Sequence, residues 1–107
     1  EMTPKQRKAL ELYLRELSDA LNAAGLDMRK TLKPGVEIPW SEGMAKDHLW
    51  RPIQKIMVDV ESTTDLEDKD VSAIYAVLDR HISAKHGIHI EFPSEERMAM
   101  EALRAAG

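Results

Sequence analysis

A chain of 107 residues with 43% hydrophobic side chains is long enough to close one hydrophobic core and too short for an elaborate second one. Nineteen acidic against fifteen basic residues leave a net charge of -4, the wrong sign for a protein that neutralises phosphates over its whole surface; only a local basic patch stays open. Cysteine is absent, which removes disulfides, thiolate nucleophiles and cysteine zinc sites. No apolar run approaches the roughly 20 residues that cross a bilayer, so a soluble, cytoplasmic protein without membrane contact is expected.

Thr3-Pro4 opens the first predicted helix, because threonine can accept a free amide and proline at the first helical position gives up none that was needed. Leu10, Tyr13, Leu14, Leu17, Ala20, Leu21 and Ala24 recur at three and four, and Gly25 closes the element. Leu26 to Gly35 is a connector carrying Arg29, Lys30 and Lys33 and ending in the turn signal Pro34-Gly35. Val36-Glu37-Ile38-Pro39-Trp40-Ser41 then alternates and runs into proline, an aromatic and serine. Ile88-His89-Ile90-Glu91-Phe92-Pro93-Ser94 follows the same script. Each reads as a short strand giving way to a helix. Such strands cannot stand alone in water, so they are expected to pin helices around them.

Ser41 opens a second helix with apolar positions Ala45, Leu49, Ile53, Ile56 and Val60. It runs through Pro52, whose missing amide leaves the His48 carbonyl unbonded and predicts a kink. Trp50 falls one step off this stripe and is expected to cover its edge. Asp59 to Asp70 is an acidic connector suited to the amino terminus of the next helix, where the macrodipole favours negative charge. That third helix presents Val71, Ile74, Tyr75, Leu78 and Ile82 and stops at Gly87. Ser94 opens a last, weakly apolar helix with Met98, Leu103 and several alanines. The expected fold is mainly α: one domain over residues 1–107, with four helices, a short two-stranded β ribbon, and fraying at residues 1–3 and 104–107.

His48, His81, His86 and His89 raise the question of a metal, since imidazole is the commonest zinc ligand. His81 and His86 lie five apart rather than four, and no His-Glu-x-x-His arrangement exists, so they read as structural or surface residues. Asp79, Arg80 and His81 point about 100° apart on a helix and cannot converge on one substrate atom. No Gly-x-Ser-x-Gly elbow or glycine-rich phosphate loop is present. These patterns point away from an enzyme, a metal or a cofactor. The run Asp65 to Asp70 lacks the glycine and terminal glutamate of a calcium loop and reads as helix capping, with Asp65, Glu67 and Asp68 available as an acidic face for a partner. Arg29, Lys30 and Lys33, with Arg51 and an indole of Trp40 or Trp50, would form a patch for single-stranded DNA, although both indoles read first as core fillers.

Leu32-Lys33-Pro34-Gly35-Val36-Glu37-Ile38-Pro39-Trp40, Leu49-Trp50-Arg51-Pro52-Ile53-Gln54-Lys55, Glu61-Ser62-Thr63-Thr64, Asp79-Arg80-His81 and the segment Gly87 to Ser94 form a recognisable set. Together they resemble a group of small proteins of tailed bacteriophages and prophages, encoded among early genes for recombination and replication. The resemblance spans roughly Leu10 to Ser94. It implies a phage origin and partners in DNA metabolism, and it names no reaction.

The expectation is a non-enzymatic accessory protein that acts by binding in DNA recombination or replication, through Arg29, Lys30, Lys33, Arg51 and Arg80. Its partner would be a phage or host protein, with single-stranded DNA as a further candidate. Six methionines and the weakly apolar last helix leave room for self-association. Two alternatives stand beside it: an inhibitor of a host enzyme or defence complex acting through Asp65, Glu67 and Asp68, and a metal-dependent enzyme using His81 and His89.

Overall fold

Thr3 and Pro4 start α1 (Pro4–Ala23) as their chemistry dictates, the threonine hydroxyl accepting the Gln6 amide at 3.1 Å. The computed structural model describes residues 2–26 and 38–106. Of the predicted stripe, Leu10, Tyr13, Leu14, Leu17 and Leu21 enter the main core, while Ala20 is half-buried and Ala24, past the helix end, is exposed. Ala9 and Leu12 are buried as well but stand outside that cluster, so α1 is covered on more than one side. At its end the Leu26 amide reaches back to the Leu21 carbonyl at 2.9 Å, a closure that needs the left-handed backbone of Gly25, at φ 75°.

Ser41 caps the next helix by accepting the Met44 amide at 3.2 Å. Three consecutive pieces follow end to end: α2 (Glu42–Ala45), a π turn (Lys46–Trp50) and α3 (Arg51–Val58). Within the π turn the Arg51 amide donates to the Lys46 carbonyl, five residues back instead of four. The expected kink at Pro52 takes this form. In a regular α turn the proline ring collides with the carbonyl of His48, and a wider turn immediately before it relieves the crowding.

The extra residue rotates everything downstream by about 100°. Ala45, Trp50 and Gln54 are fully buried, and Val58 is half-buried, at spacings of five, four and four. This replaces the expected stripe. Leu49 and Ile53 are only half-buried, and Ile56 is 84% exposed. Trp50, expected at an edge, is instead among the largest fully buried side chains. Its indole N–H has no acceptor among the described residues, so apolar packing outweighs a loss of about 1–3 kcal/mol.

The rings of Trp50, Tyr75 and Phe92 surround that of Tyr13, with centroids 6.2, 5.1 and 6.0 Å away. Trp50 and Tyr75 meet it edge to face, the arrangement favoured by the ring quadrupoles.

Gln54 serves a different end. Its Nε2 donates to the carbonyls of Val60, at 2.8 Å, and Glu61, at 3.1 Å, while its Oε1 accepts the Thr63 hydroxyl at 3.2 Å. A single buried amide thus folds the connector back on α3 and seats Leu66 in the core. After a short 3-10 turn (Thr63–Asp65), α4 (Asp68–His86) begins with the Asp70 carboxylate accepting the Glu67 amide at 3.1 Å. It buries Val71, Ile74, Leu78 and Ile82 as predicted, with Tyr75, expected among them, only half-buried, and Gly87 ends it at φ 69°. Ser94 caps α5 (Glu95–Ala106) by accepting the Arg97 amide at 3.1 Å.

The protein is mainly helical, but among the described residues there is no strand, so the expected ribbon is not found there; Val36 and Glu37 lie outside them. Several backbone groups of these segments, the amides and carbonyls of Trp40 and Ile90 and the carbonyl of Ile88, are met by helix side chains. Asn22 donates to the Trp40 carbonyl at 2.9 Å and accepts its amide at 2.7 Å, and the Trp40 indole donates to the Leu26 carbonyl at 2.7 Å. Near the chain ends, Met2 is buried in the core, Thr3 is engaged as a cap, and α5 continues to Ala106. No helix among the described residues is long and apolar enough to cross a membrane.

Two sets of variants test this account. Deleting His48 together with Pro52→Ala should restore a regular helix with Trp50 four residues after Ala45, and thermal unfolding should stay within about 1 kcal/mol of the parent. Deleting His48 alone returns the proline ring to a normal turn and should cost about 3 kcal/mol. Gln54→Leu leaves two carbonyls and a hydroxyl without their partner and should cost about 2–3 kcal/mol in denaturant unfolding.

Candidate functional site

Tyr75, Asp79 and Ser83 are spaced four apart on α4 and so form one polar row along the helix. The segment from Ile88 to Phe92 lies against this row. The Tyr75 hydroxyl donates to the Ile90 carbonyl at 2.6 Å, and the Ser83 hydroxyl donates to the Ile88 carbonyl at 3.1 Å. Between them Asp79 accepts the Ile90 amide at 3.4 Å and holds the His89 Nδ1 at 2.8 Å. An aspartate that orients an exposed imidazole is one half of a catalytic arrangement. The neighbouring hydroxyls, however, are both committed to backbone carbonyls, so the row supplies no activated nucleophile. Its chemistry is that of a clasp.

Burial raises the Tyr13 hydroxyl well above its ordinary value of 10.0, with the charge of Asp79 adding to the effect. Tyr75 moves in the same direction for the same two reasons. Outside the core, the Glu61 carboxylate, with Asp59 beside it, raises the Lys55 ammonium, which lies 3.2 and 3.5 Å from them.

Arg29, Lys30 and Lys33 lie outside the described residues. Arg51 is exposed and bonds Asp47 at 3.1 Å; Arg80 is exposed on α4. Trp50 offers no ring face for a base, because it is wholly buried, and Trp40 is half-buried with its N–H already engaged. Asp65, Glu67 and Asp68 are all exposed on the 3-10 turn and the start of α4, with Glu67 facing Lys69 at 3.4 Å. His48, His81, His86 and His89 are exposed, and among the described residues no group of three histidine or carboxylate side chains is gathered to hold a metal.

The feature that the periodicity hid is on α3. Ile56, 84% exposed, and Met57, 41% exposed, stand beside the exposed Pro52 and the half-buried Ile53. Ion pairs border them, Arg51 with Asp47 on one side and Lys55 with Asp59 and Glu61 on the other. A bulky aromatic one step off an apolar stripe, two residues before a helical proline, was the available signal: it marks a turn with one residue too many.

The tyrosine shifts define a pH response. Below pH 10 both folded and unfolded chains keep these protons; above it the unfolded chain, at its ordinary value of 10.0, ionises first, so stability falls as pH rises. An alkaline titration followed by circular dichroism should show unfolding beginning above pH 10, and Tyr13→Phe should move its onset upward. No family model matches this chain, and neither a curated protein nor a solved structure shows significant similarity to it.

Proposed function

We propose that this protein is a non-enzymatic accessory factor of phage or prophage DNA recombination or replication, and that it acts by binding a protein partner through the outer face of α3. The observation that carries the reading is Ile56, an isoleucine 84% exposed on α3, with Met57 and Pro52 beside it. Apolar side chains grouped at helical spacing and bordered by paired charges have the composition of a small protein-binding surface. Phosphate recognition asks for the reverse: unpaired cations with an open aromatic face. The setting in DNA metabolism rests on the resemblance of segments between Leu10 and Ser94 to early phage proteins.

A second reading has its own observation. Asp65, Glu67 and Asp68 form an exposed acidic corner, which suits an inhibitor that engages a basic site on a host enzyme or defence complex.

Affinity capture from infected cells separates these readings. Ile56→Lys should fold with stability within about 0.5 kcal/mol of the parent, since the side chain is already in solvent, and should lose the partner that the parent retains. Retention by Ile56→Lys, with loss on changing Asp65, Glu67 and Asp68 to their amides, would transfer the role to the acidic corner. Salt-sensitive binding of single-stranded DNA, abolished by changing Arg29, Lys30 and Lys33 to alanine, would instead restore the nucleic-acid reading.

A further inference from the structure

None of the twelve residues of α5 is buried, although the helix carries three large apolar side chains. One face of it turns to α1, where Arg97 is ion-paired with Glu16 and Met98 and Glu101 are half-covered. Glu96 and Leu103 point away from that contact, with Met100 and Arg104 on the flank at the rim of a groove against Leu12, Arg15 and Asp19 of α1, and the four positions fall within about 100° of one another around the helix. Met100 is 63% and Leu103 74% exposed.

The order of charges on this face is what selects an occupant. Glu96 lies four residues before Met100 and Arg104 four residues after it. Two copies of the helix laid antiparallel, with a two-fold axis at Met100, bring Glu96 against Arg104 of the partner subunit and Arg104 against Glu96 of the partner subunit. The two methionines then meet on the axis with the leucines beside them. Antiparallel helices also oppose their macrodipoles. A parallel pair would set like charge against like.

We infer that this face of α5 is a self-association surface for a second copy of the chain, pairing as an isologous antiparallel helix dimer. Arg104 now bonds Glu101 at 3.4 Å from a side chain that is 75% exposed, so it can turn outward without disturbing the core. Flexible methionine suits the centre of such a contact, because it adapts to an identical neighbour. A twelve-residue helix is only about 18 Å long, and one such face buries less than the roughly 1,200 Å² at which standard interfaces begin. The dimer is therefore weak and depends on concentration. The inference concerns α5 alone and is independent of the partner assigned to α3.

Sedimentation velocity of the full chain over a wide concentration range tests it. The parent should move from monomer toward dimer as concentration rises. Glu96→Arg and Arg104→Glu should each weaken association about tenfold or more, as should Leu103→Lys. The charge-reversed pair in one chain should restore it. Mixing the two single variants should restore it too, because the mixed dimer has opposite charges at both ends. Ile56→Lys should leave it unchanged. A parent that stays monomeric throughout overturns the inference, as does a dimer indifferent to the single reversals, or a failure of rescue in both the double variant and the mixture.

Discussion

The turn from Lys46 to Trp50 holds one residue more than an α-helix allows, and the placement of the core against the outer surface follows from it. Pro52 makes a regular turn crowded at this point, and Trp50 makes the alternative worthwhile by filling the space beside Tyr13. With the extra residue in place, Ala45, Trp50 and Gln54 share the inner face. Without it, the helix would offer Leu49 and Ile53 to the core and expose a tryptophan. The trade is one large aromatic inside against one isoleucine outside, so the same local event that completes the core also creates the apolar face of α3.

A second economy runs through the molecule. Three irregular stretches are held by polar side chains projecting from helices: Trp40 by Asn22, the connector after α3 by Gln54, and the segment Ile88 to Phe92 by Tyr75, Asp79 and Ser83. Each set satisfies backbone groups that a sheet would otherwise have paired. The hydroxyls near His89 are spent on carbonyls, and the amide of Gln54 is enclosed. Among the described residues the exterior carries three surfaces of different chemistry: the apolar face of α3, the acidic corner at the start of α4, and the outer face of α5.

These exterior surfaces differ in what they can recognise. The α3 face has its charges paired within the chain, which leaves dispersion and apolar burial as its means of attraction. The α5 face carries opposite charges at its two ends and so complements itself. The corner of Asp65, Glu67 and Asp68 has a single sign and works at longer range, where salt weakens it. Under the two proposals, a partner would be held on α3 while α5 contacts a second copy of the chain.

Wherever a pattern was local, the sequence alone was enough. Thr3, Ser41 and Ser94 cap helices, Gly25 and Gly87 end them, and the stripes of α1 and α4 are buried as their spacing requires, because capping and amphipathic burial depend only on residues within a few turns. Proline at position 52 announced a disturbance but not its form. Whether the helix bends, breaks or widens depends on which side chain the rest of the core can accept, and that was settled by Tyr13, sixty-odd positions from Tyr75 and far in sequence from Trp50. The same holds for the alternating segments at Ile38 and Ile88. Alternation shows that a stretch has one side to bury, but its hydrogen bonds go to whichever donors and acceptors tertiary packing brings near, and for Trp40, Ile88 and Ile90 those are helix side chains.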